Sequence, residues 1–318
     1  MPKNYDGKRK RFFGDRPLEH TFWDILKWRF LEKRSVWPKE VVPSSNIVQS
    51  SYDEASDSLR VTYIGHATLL VQSHALNILT DPHFSKRASP IPWLGPKRVQ
   101  PPGIPISSLP RIDIIFISHN HYDHLDITSL KQIWKLYHPL IVTPLGNEKI
   151  IRKAIPKANI KTLDWHEKTD LSPKISLQLL PSQHWSRRYL WDTNKSLWGA
   201  ACIFTDRQTF LFVGDTGFDE QLFKDIKETI GRPLDIAALP IGSYDPRWVM
   251  SYAHMSPEEA WKAFKILEGK VLIPTHYDVF HLADEPFGEA LPRLKAAAMK
   301  ESSRIRALNP GEYTEFVS

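Results

Sequence analysis

The most constraining feature of this chain is a short run of ligand-type side chains that directly follows a strand-like segment. Five of the six residues at 112–117 are apolar, which is typical of a strand buried on both faces. The next eight residues read Ser118-His-Asn-His-Tyr-Asp-His-Leu125, so three histidines and one aspartate fall within six positions. Imidazole and carboxylate groups are the usual ligands of catalytic zinc. The run therefore predicts a metal site at the end of a buried strand.

The spacing within this run predicts two neighbouring metal positions. Strand alternation places His119 and His121 on the same side of the chain. Asp123 and His124 follow at the turn into the next helix, from which they can reach a second ion beside the first. Solvation accounts for a single surface histidine, but it accounts poorly for four ligand-type residues at this density.

The run resembles the H-x-H-x-D-H signature of the metallo-β-lactamase superfamily. The resemblance implies an α+β fold, the four-layer αβ/βα metallo-β-lactamase sandwich, with the metals at one edge. It also implies a downstream histidine, then an aspartate that bridges both metals, then a final histidine. Matching residues occur in this order as His184, Asp215 and His276, each just past a predicted strand.

The resemblance also assigns roles to these side chains, with two zinc ions as the implied cofactors. One metal is held by His119, His121 and His184, the other by Asp123, His124 and His276, and Asp215 bridges them. Iron or manganese would fit similar ligands. Asp81 matches the superfamily's early aspartate and is expected to orient a ligand histidine, unless it is only a turn residue before a proline. His66 follows a glycine at a strand turn and is expected beside the ligands rather than among them.

Longer motifs resemble one family within this superfamily, the N-acylphosphatidylethanolamine-hydrolysing phospholipases D and their bacterial relatives. The motifs span about residues 60–290 and are Tyr63-Ile-Gly-His-Ala-Thr68, Pro181-Ser-Gln-His-Trp185, Gly214-Asp-Thr-Gly217, Pro240-Ile-Gly-Ser-Tyr-Asp-Pro-Arg-Trp248 and Pro257-Glu-Glu-Ala260. The resemblance implies a metal-dependent phosphodiesterase that cleaves N-acylphosphatidylethanolamine-like phospholipids to phosphatidate and N-acylethanolamine, by a hydroxide held between two zinc ions. Two alternatives stay open because fold alone does not choose a substrate. One is a soluble metallo-hydrolase for a sugar-phosphate lactone or small phosphodiester, and the other, with less support, is a nuclease.

The same resemblance points to residues that would meet the substrate. Asp123, Asp215 and His254 are the candidate catalytic residues, and His254 is expected at the phosphate or leaving group unless it merely flanks a helix on the surface. Arg247 is expected either to pair with a phosphate oxygen or to brace its loop through a carboxylate. Aromatic side chains that could line an acyl groove, or equally lie partly buried in the core, are Trp185, Tyr189, Trp191 and Trp248.

The charge of the chain is concentrated at its start. The 318 residues carry 42 basic and 36 acidic side chains, a net charge of +6, and residues 1–34 alone hold ten basic and five acidic ones, or +5. We expect two parts: residues 1–58, a basic segment with one helix at Thr21–Arg34 and a linker, and residues 59–318, the catalytic domain. The basic segment is either a solubilising tail or a contact for an anionic surface.

The expected partner is a phospholipid substrate met at a membrane surface. Aromatic and apolar side chains that could settle at the interface, unless they pack on the domain, are Phe12, Phe13, Phe22, Trp23, Trp28, Ile91 and Trp93. The last two belong to a long Pro-rich loop at 82–110, a length that usually indicates function. No nucleic acid is expected, because no accessory nucleic-acid-binding motif occurs. Assembly into a homo-oligomer is left open.

Sequence features also limit the cellular compartments in which the protein is expected. The single cysteine, Cys202, can form no internal disulfide and lies in an apolar run, so it reads as a core residue. The first residues lack the apolar core of a secretory signal, and no run of 18 apolar residues occurs. These features predict a cytoplasmic or peripheral membrane protein without a signal peptide or a transmembrane helix.

The remaining pattern predicts strands and helices in two comparable halves, hence two sheets with helices outside them. Strands are predicted at 59–64, 68–72, 77–80, 112–117, 139–143, 160–164, 175–180, 198–205, 209–213, 234–239 and 271–274. Helices are predicted at 127–137, 146–154, 218–229, 257–267 and 287–299.

Overall fold

A computed structural model of the chain describes residues 4–8, 11–14, 27–28, 34–41, 52 and 57–316. Most of the helix predicted at Thr21–Arg34 lies outside the described residues, as do Phe22 and Trp23. Residues 27–28 lie within that span and have helical backbone conformation. None of the helices in the described residues is both long and apolar enough to cross a membrane.

Fifteen strands occur in the described residues. They are β1 (Tyr5–Asp6), β2 (Arg11–Phe12), β3 (Leu59–Gly65), β4 (Thr68–Ser73), β5 (Leu76–Thr80), β6 (Ile114–Phe116), β7 (Leu140–Pro144), β8 (Asn159–Leu163), β9 (Lys168–Ser172), β10 (Ile175–Leu180), β11 (Ala200–Phe204), β12 (Thr209–Phe212), β13 (Ile236–Pro240), β14 (Val271–Thr275) and β15 (Tyr313–Phe316). Apart from residues 27–28, the described α-helices are α1 (Ile127–Tyr137), α2 (Asn147–Ala154), α3 (Glu220–Ile230), α4 (Arg247–Met250), α5 (Pro257–Leu267) and α6 (Ala290–Ala298). Two 3₁₀ helices cover Ile106–Ser108 and Met299–Arg304.

Two mixed sheets form the frame of the molecule. The first has seven strands in the order β15-β3-β4-β5-β6-β7-β8, and the second has six in the order β14-β13-β12-β11-β10-β9. Strands β5 to β8 pair in parallel in the first sheet, and β12 to β14 pair in parallel in the second. The carboxyl ends of parallel neighbours meet at one edge, so loops that follow these strands gather there.

The sheets stack face to face through a cluster of buried side chains that both contribute. Phe116 from the first sheet meets Phe212 from the second, with ring centroids 6.1 Å apart. A second cluster packs α1 and α2 on the outer face of the first sheet, and a third packs α3, α5 and α6 on the outer face of the second. The resulting order of helix, sheet, sheet and helix confirms the predicted four-layer α+β sandwich.

Local sequence explains where the helices near the site begin. Ser256 caps α5 by accepting a hydrogen bond from the Glu259 amide, the Glu259 side chain accepts from the Ser256 amide, and Pro257 fills the first turn. Asp126 caps α1 by accepting from the Thr128 amide. These caps fix the directions in which the flanking loops leave the helices.

Several elements were not predicted. Strands β9 and β15 lie at sheet edges and have largely polar sequences, so they give no clear alternation of apolar side chains. The short hairpin of β1 and β2 was also missed, because its pairing involves only two residues on each side. The Pro-rich loop at 82–110 is irregular as expected, apart from one 3₁₀ turn, and Cys202 is buried in β11.

The described N-terminal residues pack on the sandwich. The Phe12 side chain is only 7% exposed and joins the cluster between the sheets, while its amide donates to the Asn194 carbonyl at 2.7 Å. The Trp28 indole donates to Asp284 Oδ2 at 2.6 Å. Of the two possibilities that the sequence left open for Phe12, the structure shows packing on the domain, because the hairpin directs this ring into the core. Phe13, the next residue, is 49% exposed.

We predict that Phe12→Ala lowers the free energy of unfolding by about 3 kcal/mol, because a buried aromatic ring is lost and leaves a cavity. The matched control is Phe13→Ala, which removes an exposed ring of the same size and is expected to change stability by less than about 0.5 kcal/mol. Urea unfolding of both variants checks the difference. Equal stability of the two variants would contradict the packing of the N-terminal hairpin.

Candidate metal centre

The predicted ligand residues lie together at one edge of the sandwich, each in a loop that follows a strand. The run from His119 to His124 connects β6 to α1. His184 follows β10, Asp215 follows β12 and His276 follows β14. The two sheets therefore deliver ligands to the same edge from opposite sides.

Three imidazoles form the first group. The ring nitrogens His119 Nε2 and His121 Nδ1 are 2.9 Å apart, and His184 Nε2 is 3.2 Å from His121 Nδ1. Ligands on the corners of a zinc tetrahedron with bonds of about 2.05 Å would be about 3.3 Å apart. The three nitrogens are therefore spaced as ligands of one metal ion.

The second group lies beside the first. Asp123 Oδ2 is 3.3 Å from His124 Nε2 and 3.2 Å from His276 Nε2. Asp215 reaches both groups: its Oδ1 is 3.2 Å from His276 Nε2, and its Oδ2 is 3.1 Å from His124 Nε2. The same Oδ2 is 3.9 Å from His119 Nε2 and 3.8 Å from His184 Nε2. Asp215 thus occupies the position of a bridging ligand.

Buried polar atoms without hydrogen-bond partners support a cation at this site. In the described part of the chain they include His124 Nε2 and Asp215 Oδ1. Unsatisfied buried polar groups are costly, so their concentration around one small volume calls for a further partner. Clusters of histidine and aspartate that could hold metal ions include every residue of both groups.

The protonation states also fit a metal. Burial lowers the pKa of His121 to about 4 and that of His184 to about 3, so both rings are neutral and can donate a lone pair. Burial also disfavours charge on His276, but Asp215 and Asp123 outweigh it and raise its pKa to about 9. The two carboxylates therefore favour a positive charge between the side chains of the second group. A metal cation at that position would provide it.

A buried carboxylate fixes the orientation of two ligand rings. Asp81 Oδ2 accepts from His124 Nδ1 at 2.7 Å and from Ser118 Oγ at 2.6 Å, and Asp81 Oδ1 accepts from the Ser118 amide at 2.7 Å. Because the Ser118 hydroxyl donates to Asp81, it accepts from His119 Nδ1 at 2.9 Å. Both rings then carry their proton on Nδ1 and present Nε2 to the metal position. This geometry supports the orienting role expected of Asp81.

Two further contacts complete this support. His184 Nδ1 donates to the Ala253 carbonyl at 3.1 Å, which leaves its Nε2 free. His66 Nε2 lies 3.1 Å from Asp123 Oδ2, and the His66 carbonyl accepts from the His276 amide at 3.0 Å. His66 thus contacts two candidate ligands, and its own ring lies close enough to Asp123, His124 and His276 to share a metal ion with them. The roles of Ser118 and the Ala253 carbonyl were not predicted, because neither is recognisable from spacing.

A glycine allows the two sheets to approach at the site. Gly214 precedes Asp215 and has a φ of 66°. A Cβ at this position would lie 2.8 Å from Ser118 Cβ and 2.9 Å from Ser118 Oγ. The absence of a side chain here therefore lets the loop carrying Asp215 pack against the residue that orients His119.

A cleft of about 840 Å³ opens from the metal centre to solvent. Its inner end includes His121, Asp123, Asp215 and His254. Its walls are largely apolar and include Trp185, Tyr189, Leu190, Trp191, Val249, Met250, Tyr252 and Leu282. Trp185 packs edge-on against His121 with ring centroids 4.6 Å apart. The predicted positions of Trp185, Tyr189, Trp191 and His254 thus fall on one surface.

Arg247 does not lie where a substrate-binding role would place it. Its guanidinium donates to Glu259 Oε2 at 2.6 Å and to the carbonyls of Tyr244 and His254 at 3.2 and 3.0 Å, and it does not line the cleft. The partner carboxylate is the one that caps α5. Arg247 therefore braces the loop that carries His254, which is the alternative that the sequence left open.

Comparison with known proteins agrees with this geometry. A model described as "Beta-lactamase superfamily domain" matches residues 76–277, more than half of the chain. The chain is 36% identical over 248 residues to N-acyl-phosphatidylethanolamine-hydrolyzing phospholipase D 1 of Caenorhabditis elegans, which covers 75% of this chain and 69% of that protein. It is 35% identical over 241 residues to the mitochondrial N-acyl-phosphatidylethanolamine-hydrolyzing phospholipase D of Saccharomyces cerevisiae, covering 74% and 51%.

Among solved structures, the metallo hydrolase Igni18 of the archaeon Ignicoccus hospitalis matches with a TM-score of 0.62 at 22% identity, over 82% of this chain and 99% of that one. At this identity the likeness concerns the fold alone. Fold, sequence match and clustered ligands together define a metal-dependent hydrolase of the metallo-β-lactamase superfamily. Within it, the chain belongs to the family of the N-acylphosphatidylethanolamine-hydrolysing phospholipases D.

We predict that Gly214→Ala weakens metal binding at least about tenfold, because the added methyl displaces Ser118 from the His119 ring that it orients. Gly231→Ala is the matched control. Its φ of 64° imposes the same backbone strain, but the nearest atom to the new methyl is 3.7 Å away. Metal titration of the two purified variants measures the effect. Parent-like metal affinity in Gly214→Ala would contradict the proposed support of His119.

Proposed function

We propose that this protein is a phosphodiesterase that holds two zinc ions and cleaves N-acylphosphatidylethanolamine-like phospholipids to phosphatidate and N-acylethanolamine. The observation that carries the proposal is the cleft, whose apolar walls lead directly to the clustered histidines and aspartates. A polar diester linked to long acyl chains needs a site that is polar at one end and apolar along its length. The names of the two phospholipase D relatives support the same substrate.

The proposed assignment of ligands is the one that the distances favour. His119, His121 and His184 would hold one ion, and Asp123, His124 and His276 the other, with Asp215 between them. Two bound metal ions would act as Lewis acids on the phosphate and lower the pKa of a water molecule. The protein's own contribution is to hold neutral imidazoles in fixed orientations and to exclude bulk water from the inner end of the cleft.

Two side chains of the cleft are suited to the phosphodiester. His254 Nδ1 is 3.9 Å from Asp215 Oδ2, and this side chain is only partly exposed, at 15%. In the proposed reaction it would hydrogen-bond a phosphate or leaving-group oxygen. Arg187 also lines the cleft, with its guanidinium 5.0 Å from the centroid of the Trp185 ring. No carboxylate among the described residues forms a salt bridge with Arg187, so its charge is available to an anionic substrate.

The proposed setting is a membrane surface, approached peripherally. A two-chain lipid leaves its bilayer at a cost of about 0.8 kcal/mol for each CH₂ that enters water. The enzyme must therefore come to the lipid. A cleft that opens to solvent between exposed side chains such as Leu190 and Trp191 permits that approach.

We predict that the purified protein, loaded with zinc, converts N-acylphosphatidylethanolamine in mixed micelles to phosphatidate and N-acylethanolamine. In ¹⁸O-labelled water the label should appear in phosphatidate, because attack at phosphorus breaks the bond on the head-group side. Mass spectrometry of both products measures this. Cleavage of small phosphodiesters or lactones with no cleavage of any phospholipid would instead establish the soluble-hydrolase alternative.

We also predict that His254→Ala keeps the parent's metal content while turnover falls about 100-fold, because this ring serves the substrate and general acid–base groups contribute on this scale. His276→Ala is the comparison variant, and it should lose metal. Elemental analysis and product formation are measured on the same preparations. His254 also lies close enough to His184 and Asp215 to share a metal with them, so loss of metal in His254→Ala would overturn this division of roles.

A further inference from the structure

A second concave site lies beside the catalytic cleft, across a loop that we call the 87–97 loop. It has a volume of about 520 Å³ and is lined by Arg34, Trp37, Pro38, Lys39, Arg87, Gly95, Pro96, Lys97, Val99 and His281. Four of these side chains are cationic and none is acidic. We call this site the basic pocket.

The cations of the basic pocket are only partly neutralised. Arg34 Nε lies 3.3 Å from Asp284 Oδ1, and Arg87 donates to the Gly95 carbonyl at 2.5 Å. Within residues 34–41 and 57–316, no carboxylate forms a salt bridge with Lys39 or Lys97. Glu40 neighbours Lys39 in sequence but does not line the pocket. The pocket therefore presents net positive charge to a ligand.

The 87–97 loop exposes apolar side chains to solvent. Its stem is closed by hydrogen bonds from the Ala88 amide to the Pro96 carbonyl at 3.1 Å and from the Arg98 amide to the Lys86 carbonyl at 2.8 Å. Its tip exposes Ile91, Trp93 and Leu94 to 37%, 79% and 61%. Neighbouring large apolar side chains that remain exposed on a hydrogen-bonded loop indicate a surface that contacts a membrane or another apolar surface.

The same loop connects the basic pocket to the catalytic cleft. Arg87 and Lys97 face the pocket, whereas Ala88 and Pro90 line the cleft. The exposed tip is thus next to the cleft through which a lipid would enter. A loop with an apolar tip and basic residues at its base is compatible with binding to a bilayer surface. Aromatic rings partition into the membrane interface, and lysine and arginine side chains bind lipid phosphates.

We propose that the basic pocket binds the phosphate of an anionic phospholipid that is not the substrate, while Ile91, Trp93 and Leu94 enter the bilayer interface. The inference rests on the proposed function only in placing the enzyme at a membrane. It places the main contact at the rim of the cleft, on the loop of Ile91 and Trp93 that the sequence had named beside the N-terminal segment, and it adds the basic pocket to that contact. Bound in this way, the enzyme would hold its cleft against the bilayer.

The test is flotation of the zinc-loaded full chain with phosphatidylcholine vesicles that do or do not contain phosphatidylglycerol. Removing both lysines of the pocket in Lys39→Gln/Lys97→Gln should weaken binding to the anionic vesicles about 25-fold, or about fivefold for each charge near the surface. The matched control, Lys157→Gln/Lys300→Gln, removes two exposed lysines elsewhere. Trp93→Ser should also weaken binding, unlike Leu136→Ser, which alters an apolar side chain exposed to 54% on α1.

Each result decides the proposal. Parent-like binding by the double lysine variant, or equal binding of the parent to neutral vesicles, would overturn it. So would saturation of the pocket by soluble glycerol phosphate with no binding to anionic vesicles. Hydrolysis of substrate in detergent micelles is measured in parallel and should be unchanged in all four variants. Failure of that hydrolysis in the parent would count against the proposed function, whereas the vesicle result would still test the pocket.

Discussion

The buried carboxylate of Asp81 is the interaction on which the metal centre depends. It follows β5, yet it accepts hydrogen bonds from Ser118 after β6 and from His124 before α1. Burial raises the pKa of this carboxyl, and the bonds from His124 and Ser118 oppose that rise. One side chain therefore sets the tautomers of two candidate ligands and ties the ends of two parallel strands. Without it, His119 and His124 would be free to present either ring nitrogen.

The second constraint is the balance of charge inside the site. Burial alone raises the pKa of Asp215, but His124 and His276 overcome it and hold the pKa well below its ordinary value. The carboxylates in turn raise the pKa of His124 and His276. Without a metal, the negative carboxylates and the protonated histidines stabilise each other. A divalent cation would take over that role, because it stabilises both carboxylates and binds neutral imidazole rings. The site therefore favours a positive charge at its centre. The side chains alone provide that charge only when His124 and His276 are protonated.

Sequence reasoning succeeded where chemistry is encoded locally. The run at His119–His124 is recognisable from the density of its ligand-type residues. His184, Asp215 and His276 were expected from the family resemblance, and each follows a buried strand, so the edge of the sheets brings them together. The four-layer sandwich followed from the family resemblance and from two halves of similar pattern. Ser118 was missed because its role depends on which atom carries a proton. Arg247 was open to two interpretations because its partner Glu259, twelve residues further on, is positioned by the capping box of α5. The burial of Phe12 could not be decided from the sequence, because the hairpin that carries it is held by a contact with Asn194, far along the chain.

The N-terminal hairpin has a consequence for how the substrate site behaves. The Arg11 guanidinium donates to the Thr193 carbonyl, the Phe12 amide donates to the Asn194 carbonyl, and Asn194 Oδ1 accepts from the Ser186 amide at 3.0 Å. Thr193 lines the cleft together with Tyr189 and Trp191. Arg11 and Phe12 thus support the loop that forms one wall of the cleft. A proteolytic cut just behind Phe12 would therefore remove the support of this wall and change how the cleft holds its substrate, without removing any candidate metal ligand.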